Sequence, residues 1–216
     1  ARVKTDLLSL EAAIAAFKAN YKADIPSSLT IPAAGDAWDN VSKSKIRRIW
    51  PQFNFANSGG WSKGKVILSG GECLMFFLGG IVEGGSPQGF SRNARTPFSN
   101  VGSNRSGPFM EFGADQVLQA KDAAGNLKPN VYVYVDPARY QLPGYSYVRK
   151  DDYDPNNAYE QPGSSAAKRV YWKAQSYQIV SPGFDGKFGN GTTSSSNVDD
   201  ADNDNITNFS DGMLNG

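Results

Sequence analysis

The chain has no histidine and a single cysteine, Cys73, among its 216 residues. These absences exclude a Ser-His-Asp triad, the usual zinc and haem sites, and any disulfide framework within the chain. Cys73 lies between Glu72 and the apolar run 74–78. With no imidazole to take its proton, it is expected as a small buried hydrophobe without a chemical role. Long hydrophobic runs are missing too: no stretch approaches the roughly 20 apolar residues that span a bilayer, and no signal peptide is visible. Either the chain is soluble as it stands or a segment was removed before Ala1. Charge of one sign is also scarce, since 22 Lys and Arg against 21 Asp and Glu leave a net +1. No overall field draws nucleic acid or an anionic membrane, and no nucleic-acid partner is expected.

What the chain does have is aromatic bulk and an uneven charge distribution. Twelve Phe, ten Tyr and four Trp within a 39% hydrophobic composition supply a core, and the length predicts one domain over 1–216. From Asp185 onward, the six aspartates 185, 199, 200, 202, 204 and 211 face only Lys187, so the end of the chain carries −5 and the remainder +6.

Val3, Leu7, Leu10, Ile14, Phe17 and Tyr21 recur at steps of four and three, which predicts a helix over 1–22 with one apolar stripe. Pro26 stops it soon afterwards. No capping residue precedes Val3, so the helix is expected to begin in mid-register, as the second half of a longer one. A second helix is expected over 36–49, ended by Pro51, with Lys43, Lys45, Arg47 and Arg48 on a solvated face. Ser69 and Glu72 have capping-box spacing, which predicts a short helix through Leu78 that Gly79 and Gly80 end. The Gly- and Pro-rich segment 83–108 reads as a loop and a candidate interaction surface. Strands are expected over 130–136, 145–149 and 177–180, where β-branched and aromatic residues predominate. The fold class predicted is α+β, a long N-terminal helix laid across a small antiparallel sheet.

The chemistry is concentrated in 181–216, where a strand leads into an acidic loop. Calcium takes six to eight hard oxygen ligands, and a segment dense in carboxylates, Asn amides and free carbonyls can supply them. Asp200, Asp202 and Asp204 alternate as at the start of an EF-hand loop. Asn205 then stands in place of the turn glycine and no bidentate Glu follows, so the loop is not an EF-hand. The bland alternative is a solvated acidic tail. Against it stand Ile206 and Phe209, apolar anchors of no use to a disordered tail, and the turn Asp185-Gly186.

Three segments together resemble a known family. They are the N-terminal helix, the turn Ser181-Pro182-Gly183-Phe184-Asp185-Gly186, and the Asp-rich stretch ending Asp204-Asn205-Ile206-Thr207-Asn208-Phe209. The combination resembles the major pseudopilin of type II secretion systems, a type IV pilin-like family. Gly71-Glu72-Cys73-Leu74-Met75-Phe76-Phe77-Leu78-Gly79-Gly80 resembles its longer, planctomycete-type members. The resemblance implies a pilin-like fold and a non-enzymatic filament subunit whose partners are copies of itself and other pseudopilins. It also implies a periplasmic or cell-surface location, with inner-membrane anchoring through a hydrophobic half-helix before Ala1. It further implies a structural calcium ion held by the carbonyl of Pro182, by Asp185, and by later aspartates, for which Asp202 and Asp204 are the choice and Asp200 the alternative. Relative to that pattern, this chain inserts 190–197 and carries Asn205 where an Asp often precedes the Ile.

Two competing functions remain open on the residues alone. A secreted calcium-dependent adhesion or carbohydrate-binding module would use Tyr140, Tyr145, Tyr147, Tyr153, Tyr159 and Trp172 to stack on sugars. A hydrolase would need paired carboxylates, and Glu72, Glu83, Glu111 and Glu160 form no recognisable spacing.

Overall fold

A computed structural model of the chain describes residues 2–102, 104–112, 118–121, 127–130, 133–135, 159, 161, 170–181 and 205–210. Its backbone gathers into two compact units, Leu10–Ala114 and the combination of Ala1–Ser9 with Asp115–Gly216. The described elements are helices and small antiparallel sheets.

Helix α1, Arg2–Tyr21, forms as the apolar spacing predicts. Leu7, Leu10, Ile14 and Phe17 are buried, while Val3 and Tyr21 are half-buried at the two ends of the stripe. Each fully buried Leu, Ile or Phe contributes about 1.5–3 kcal/mol, so the stripe outweighs the weak intrinsic stability of an isolated helix. The helix stops before Pro26 is reached. Lys22 takes a left-handed φ of 55° while its N–H still donates to the Lys18 carbonyl at 2.9 Å.

In the Leu10–Ala114 unit, strand β1, Leu29–Ile31, precedes helix α2, Asn40–Ile49. The helix begins four residues later than expected because Asp39 is its N-cap, the carboxylate accepting from Ser42 N at 2.8 Å. Ser42 is itself buried, and its hydroxyl accepts from Thr30 N at 3.0 Å, which fixes α2 to β1. The basic run is only partly a free solvated face: Lys45 Nζ donates to the Ser28 carbonyl at 2.9 Å, and Arg47 lies 5.1 Å over the Phe55 ring.

Strand β2, Val66–Leu68, pairs antiparallel with β1 and leads into helix α3, Gly70–Gly79. The capping box is present, with Ser69 N donating to Glu72 Oε2 at 2.8 Å and Glu72 N donating to the Ser69 hydroxyl at 3.4 Å. Cys73, Leu74, Phe77 and Leu78 are buried, so the cysteine is the small hydrophobe its context predicts. Gly80 closes the helix at φ 86°, and a Cβ there would stand 2.3 Å from the Gly89 backbone.

The segment 83–108 is more ordered than its glycines predict. It contains β3 (Val82–Glu83) paired with β4 (Ser86–Pro87), and β5 (Phe90–Ser91) paired with β6 (Arg105–Ser106). Two-residue strands are too short to leave a period-2 signature, which is why the sequence shows only a loop. Phe90 and Phe98 from this segment are fully buried. Their rings join Trp50 at centroid distances of 5.1 and 5.5 Å, and Phe17 meets Phe77 edge-on at 5.7 Å. The core of this unit is an aromatic cluster of the kind whose edge-to-face pairs add about 0.5–1.5 kcal/mol each beyond burial.

In the other unit, β7 (Leu118–Lys121) pairs antiparallel with β8 (Leu127–Asn130). A three-stranded antiparallel sheet follows from β9 (Val133–Val135), β10 (Gln178–Ser181) and β11 (Ile206–Thr207), in the order β11-β10-β9. Every residue of the central strand β10 is buried. The strands expected within 130–136 and 177–180 are therefore present in part and paired with each other, and 145–149 lies outside the described residues.

Candidate functional site: the frame of the acidic loop

The five residues assigned to calcium, Pro182, Asp185, Asp200, Asp202 and Asp204, lie outside the described residues. What the structure describes is where that segment leaves the sheet and where it returns. Strand β10 ends at Ser181 and β11 starts at Ile206, and the two strands pair antiparallel with Ser181 opposite Ile206 and Val180 opposite Thr207. Paired Cα atoms in such a ladder stand about 4.5–5.5 Å apart. The two ends of the acidic segment therefore lie side by side on neighbouring strands of one sheet.

Beyond Thr207 the ladder continues through a side chain. Ile179 N donates to Asn208 Oδ1 at 2.9 Å, and Asn208 N donates to the Ile179 carbonyl at 3.2 Å. The Thr207 hydroxyl accepts from Phe209 N at 3.3 Å and Ser210 N at 3.0 Å, turning the chain away after the strand. The two apolar anchors are both engaged. Ile206 is half-buried in the ladder, and Phe209 stacks on Trp172 at 5.9 Å with an interplanar angle of 17° while its centroid lies 5.7 Å from Tyr159.

The same sheet carries a buried polar frame. The carboxamide of Gln178 is used as a substitute peptide group. Its Oε1 accepts from Tyr159 N at 2.8 Å, and its Nε2 donates to the Tyr159 carbonyl at 3.0 Å and to the Trp172 carbonyl at 2.8 Å. The Tyr159 carbonyl also accepts from Trp172 N at 3.0 Å. At the other end of the same residue, the Tyr159 hydroxyl accepts from Asn205 Nδ2 at 2.9 Å. Gln178, Tyr159 and Asn205 are each 0% exposed, so these bonds form away from competing water. Sequence reasoning missed this frame. The available signal was a glutamine beside Ile179 and Val180 in an expected strand, since a buried amide needs partners that the strand ladder does not supply.

The sugar-stacking residues of the competing reading fare differently. Tyr159 is taken up in the core, Trp172 is covered on one face by Phe209, and Tyr140, Tyr145, Tyr147 and Tyr153 lie outside the described residues. Of the carboxylates considered for hydrolysis, Glu72 is used in the α3 cap, Glu83 accepts from Asn100 Nδ2 at 3.5 Å, and Glu160 lies outside the described residues. Among the described residues there is no group of three His, Cys, Asp or Glu side chains placed to hold a metal, and no helix long and apolar enough to cross a membrane.

The sequence of the acidic segment is rich in hard oxygen donors. Carboxylates and backbone carbonyls are hard oxygen ligands, and residues 182–204 supply both from a segment tied together at its base. Compared with known proteins, the chain matches no family model, no curated protein and no solved structure.

Proposed function

We propose that this chain is a non-enzymatic structural subunit of a type II secretion or type IV pilus-like filament, exported to the periplasm or cell surface and stiffened by a calcium ion in its C-terminal loop. The observation that carries this reading is the Ser181–Ile206 register, which ties both ends of the acidic segment to one sheet. Closing a loop of that length costs about 3 kcal/mol in chain entropy. Gathering its aspartates adds repulsion, and a divalent cation bound by Pro182 O, Asp185 and the aspartates at 200, 202 and 204 reverses the sign of that term. The ion's role is structural, with no water activated. In a filament, subunits would associate through the N-terminal helix, and the ion would keep the exposed head in one shape for packing.

Immunogold electron microscopy with antibody to this chain, on surface fractions sheared from cells producing the intact gene product, tests the filament. Labelled filaments are expected. A protein recovered only as soluble monomer in millimolar calcium would overturn the reading.

A further inference from the structure

We infer that Arg47 and Arg95 form a binding site for an acidic polysaccharide, their guanidinium groups taking the carboxylates of a uronic-acid chain. Helix α2 carries four cations and the segment 92–105 carries three, with no Asp or Glu in either. Both belong to the Leu10–Ala114 unit. They meet at one short segment, because Asn54 N donates to the Arg95 carbonyl at 3.0 Å and the next residue, Phe55, has the Arg47 guanidinium 5.1 Å over its ring. Both arginines are exposed, and among the described residues no carboxylate pairs with either.

Arg47 is held ready for an anion. Phe55 packs on Phe53 at 4.7 Å and on Trp38 at 5.5 Å, so the ring that holds the guanidinium is itself fixed. A ring contact occupies none of the five N–H donors, which leaves the fork able to bind a planar carboxylate bidentately. A side chain positioned before binding loses less entropy when the ligand arrives.

The surroundings select the kind of anion. The exposed large hydrophobic side chains among the described residues are Leu8, Val41, Ile67, Val82, Val101 and Val170, and none falls within 43–57 or 92–97. A protein partner needs a desolvated apolar centre and a membrane needs apolar side chains to insert, so this face suits a hydrated polyanion. Groups that bind hydroxyls lie alongside. Asn57 and Asn93 are exposed, and Asn93 Oδ1 accepts from Arg95 N at 3.1 Å, which leaves its amide N–H groups for a sugar. Choosing a polysaccharide over a nucleic acid rests on the exported reading of the chain proposed above.

Calorimetric titration with polygalacturonate tests the site on wild type, Arg47→Ala, Arg95→Ala and the double variant. Lys65→Ala is the control, removing an exposed cation of the same unit outside the site. Each single arginine variant should weaken binding by about twofold to fivefold. The double variant should weaken it by about fourfold to twenty-fivefold if the two contributions add. Lys65→Ala should leave affinity unchanged, and Arg47→Lys, which keeps the charge without the planar fork, should recover only part of the loss. Unfolding midpoints are measured alongside, and Arg95→Ala decides the matter if Arg47→Ala melts early through loss of its ring contact. No binding of polygalacturonate overturns the inference. So does an equal loss in Lys65→Ala, which would reduce the effect to net charge, and so does binding of polyglutamate or duplex DNA at least as tight as that of polygalacturonate. Labelled filaments from a chain that binds no polygalacturonate overturn this inference alone, whereas site-dependent binding by a chain that forms no filaments overturns the filament reading alone.

Discussion

Replacing Gln178 by leucine is the sharpest perturbation of the buried polar frame around Tyr159. Leucine has similar volume and suits a buried strand, so the change removes three hydrogen bonds without opening a large cavity. Tyr159 N–H loses the Gln178 oxygen at 2.8 Å, and the Trp172 carbonyl loses the Gln178 nitrogen at 2.8 Å. The Tyr159 carbonyl keeps its bond from Trp172 N. Losing these two bonds, at the fully buried Tyr159 and the half-buried Trp172, costs about 1–3 kcal/mol each, or about 2–6 kcal/mol together. With a urea dependence of about 2 kcal/mol per molar, the unfolding midpoint should fall by about 1–3 M. Calcium is withheld so that ligand linkage does not mask the change. Gln178→Glu provides the comparison, because it keeps an acceptor, loses both donors and buries a charge, so it should be at least as destabilising near neutral pH. A loss below about 0.5 kcal/mol for Gln178→Leu would show that the carboxamide does not hold the frame together.

Gly80→Ala should cost at least about 3 kcal/mol, since the residue sits at φ 86° and its new Cβ would meet the Gly89 backbone at 2.3 Å. Gly84→Ala is the control, with φ 58° but open space around it, and calorimetric melting of the two variants should separate collision from backbone strain. A third expectation concerns alkaline pH. Burial raises the Tyr21 hydroxyl above its ordinary 10.0, the nearby Ser106 and Arg92 side chains offsetting only part of the rise. Below that value the hydroxyl is protonated in both folded and unfolded chains. Above it the unfolded chain ionises first, so stability should fall as pH climbs from 10.0 toward the folded value. Tyr21→Phe should flatten that decline in urea midpoints measured across it, and an identical slope in the variant would exclude Tyr21 as its source.

Local features were legible in the sequence where a local rule governs them. The α1 stripe, the Ser69 and Glu72 box, and the apolar runs that became β9 and β10 all follow from spacing or propensity within a few residues. The α2 start was misplaced because Asp36 and Asp39 are both acceptable caps, and only the Ser42 amide decides between them. The hairpins within 82–106 were hidden because two-residue strands have no period, and the glycines that mark a loop also permit the close crossing of Gly80 and Gly89. At the candidate site, the anchors Ile206 and Phe209 were visible as apolar residues in a polar tail. The partners that hold them were not: Gln178 reaches Tyr159 across 19 positions, and Asn205 reaches Tyr159 across 46. Tertiary hydrogen bonds at those separations leave no periodic trace.

The central claim is that a calcium ion closes the acidic loop on the frame of β10 and β11. It is tested most directly by following the thermal unfolding midpoint of wild type and Asp185→Ala through a calcium titration, with magnesium as the competing cation. At free calcium of about one hundred times the dissociation constant, linkage contributes about 2.7 kcal/mol. For a chain of this size that is a rise of about 5–10 °C. The account predicts that rise for wild type, a much smaller one for Asp185→Ala, and little response to magnesium. A wild-type midpoint that does not move with calcium, matched by Asp185→Ala, would contradict it.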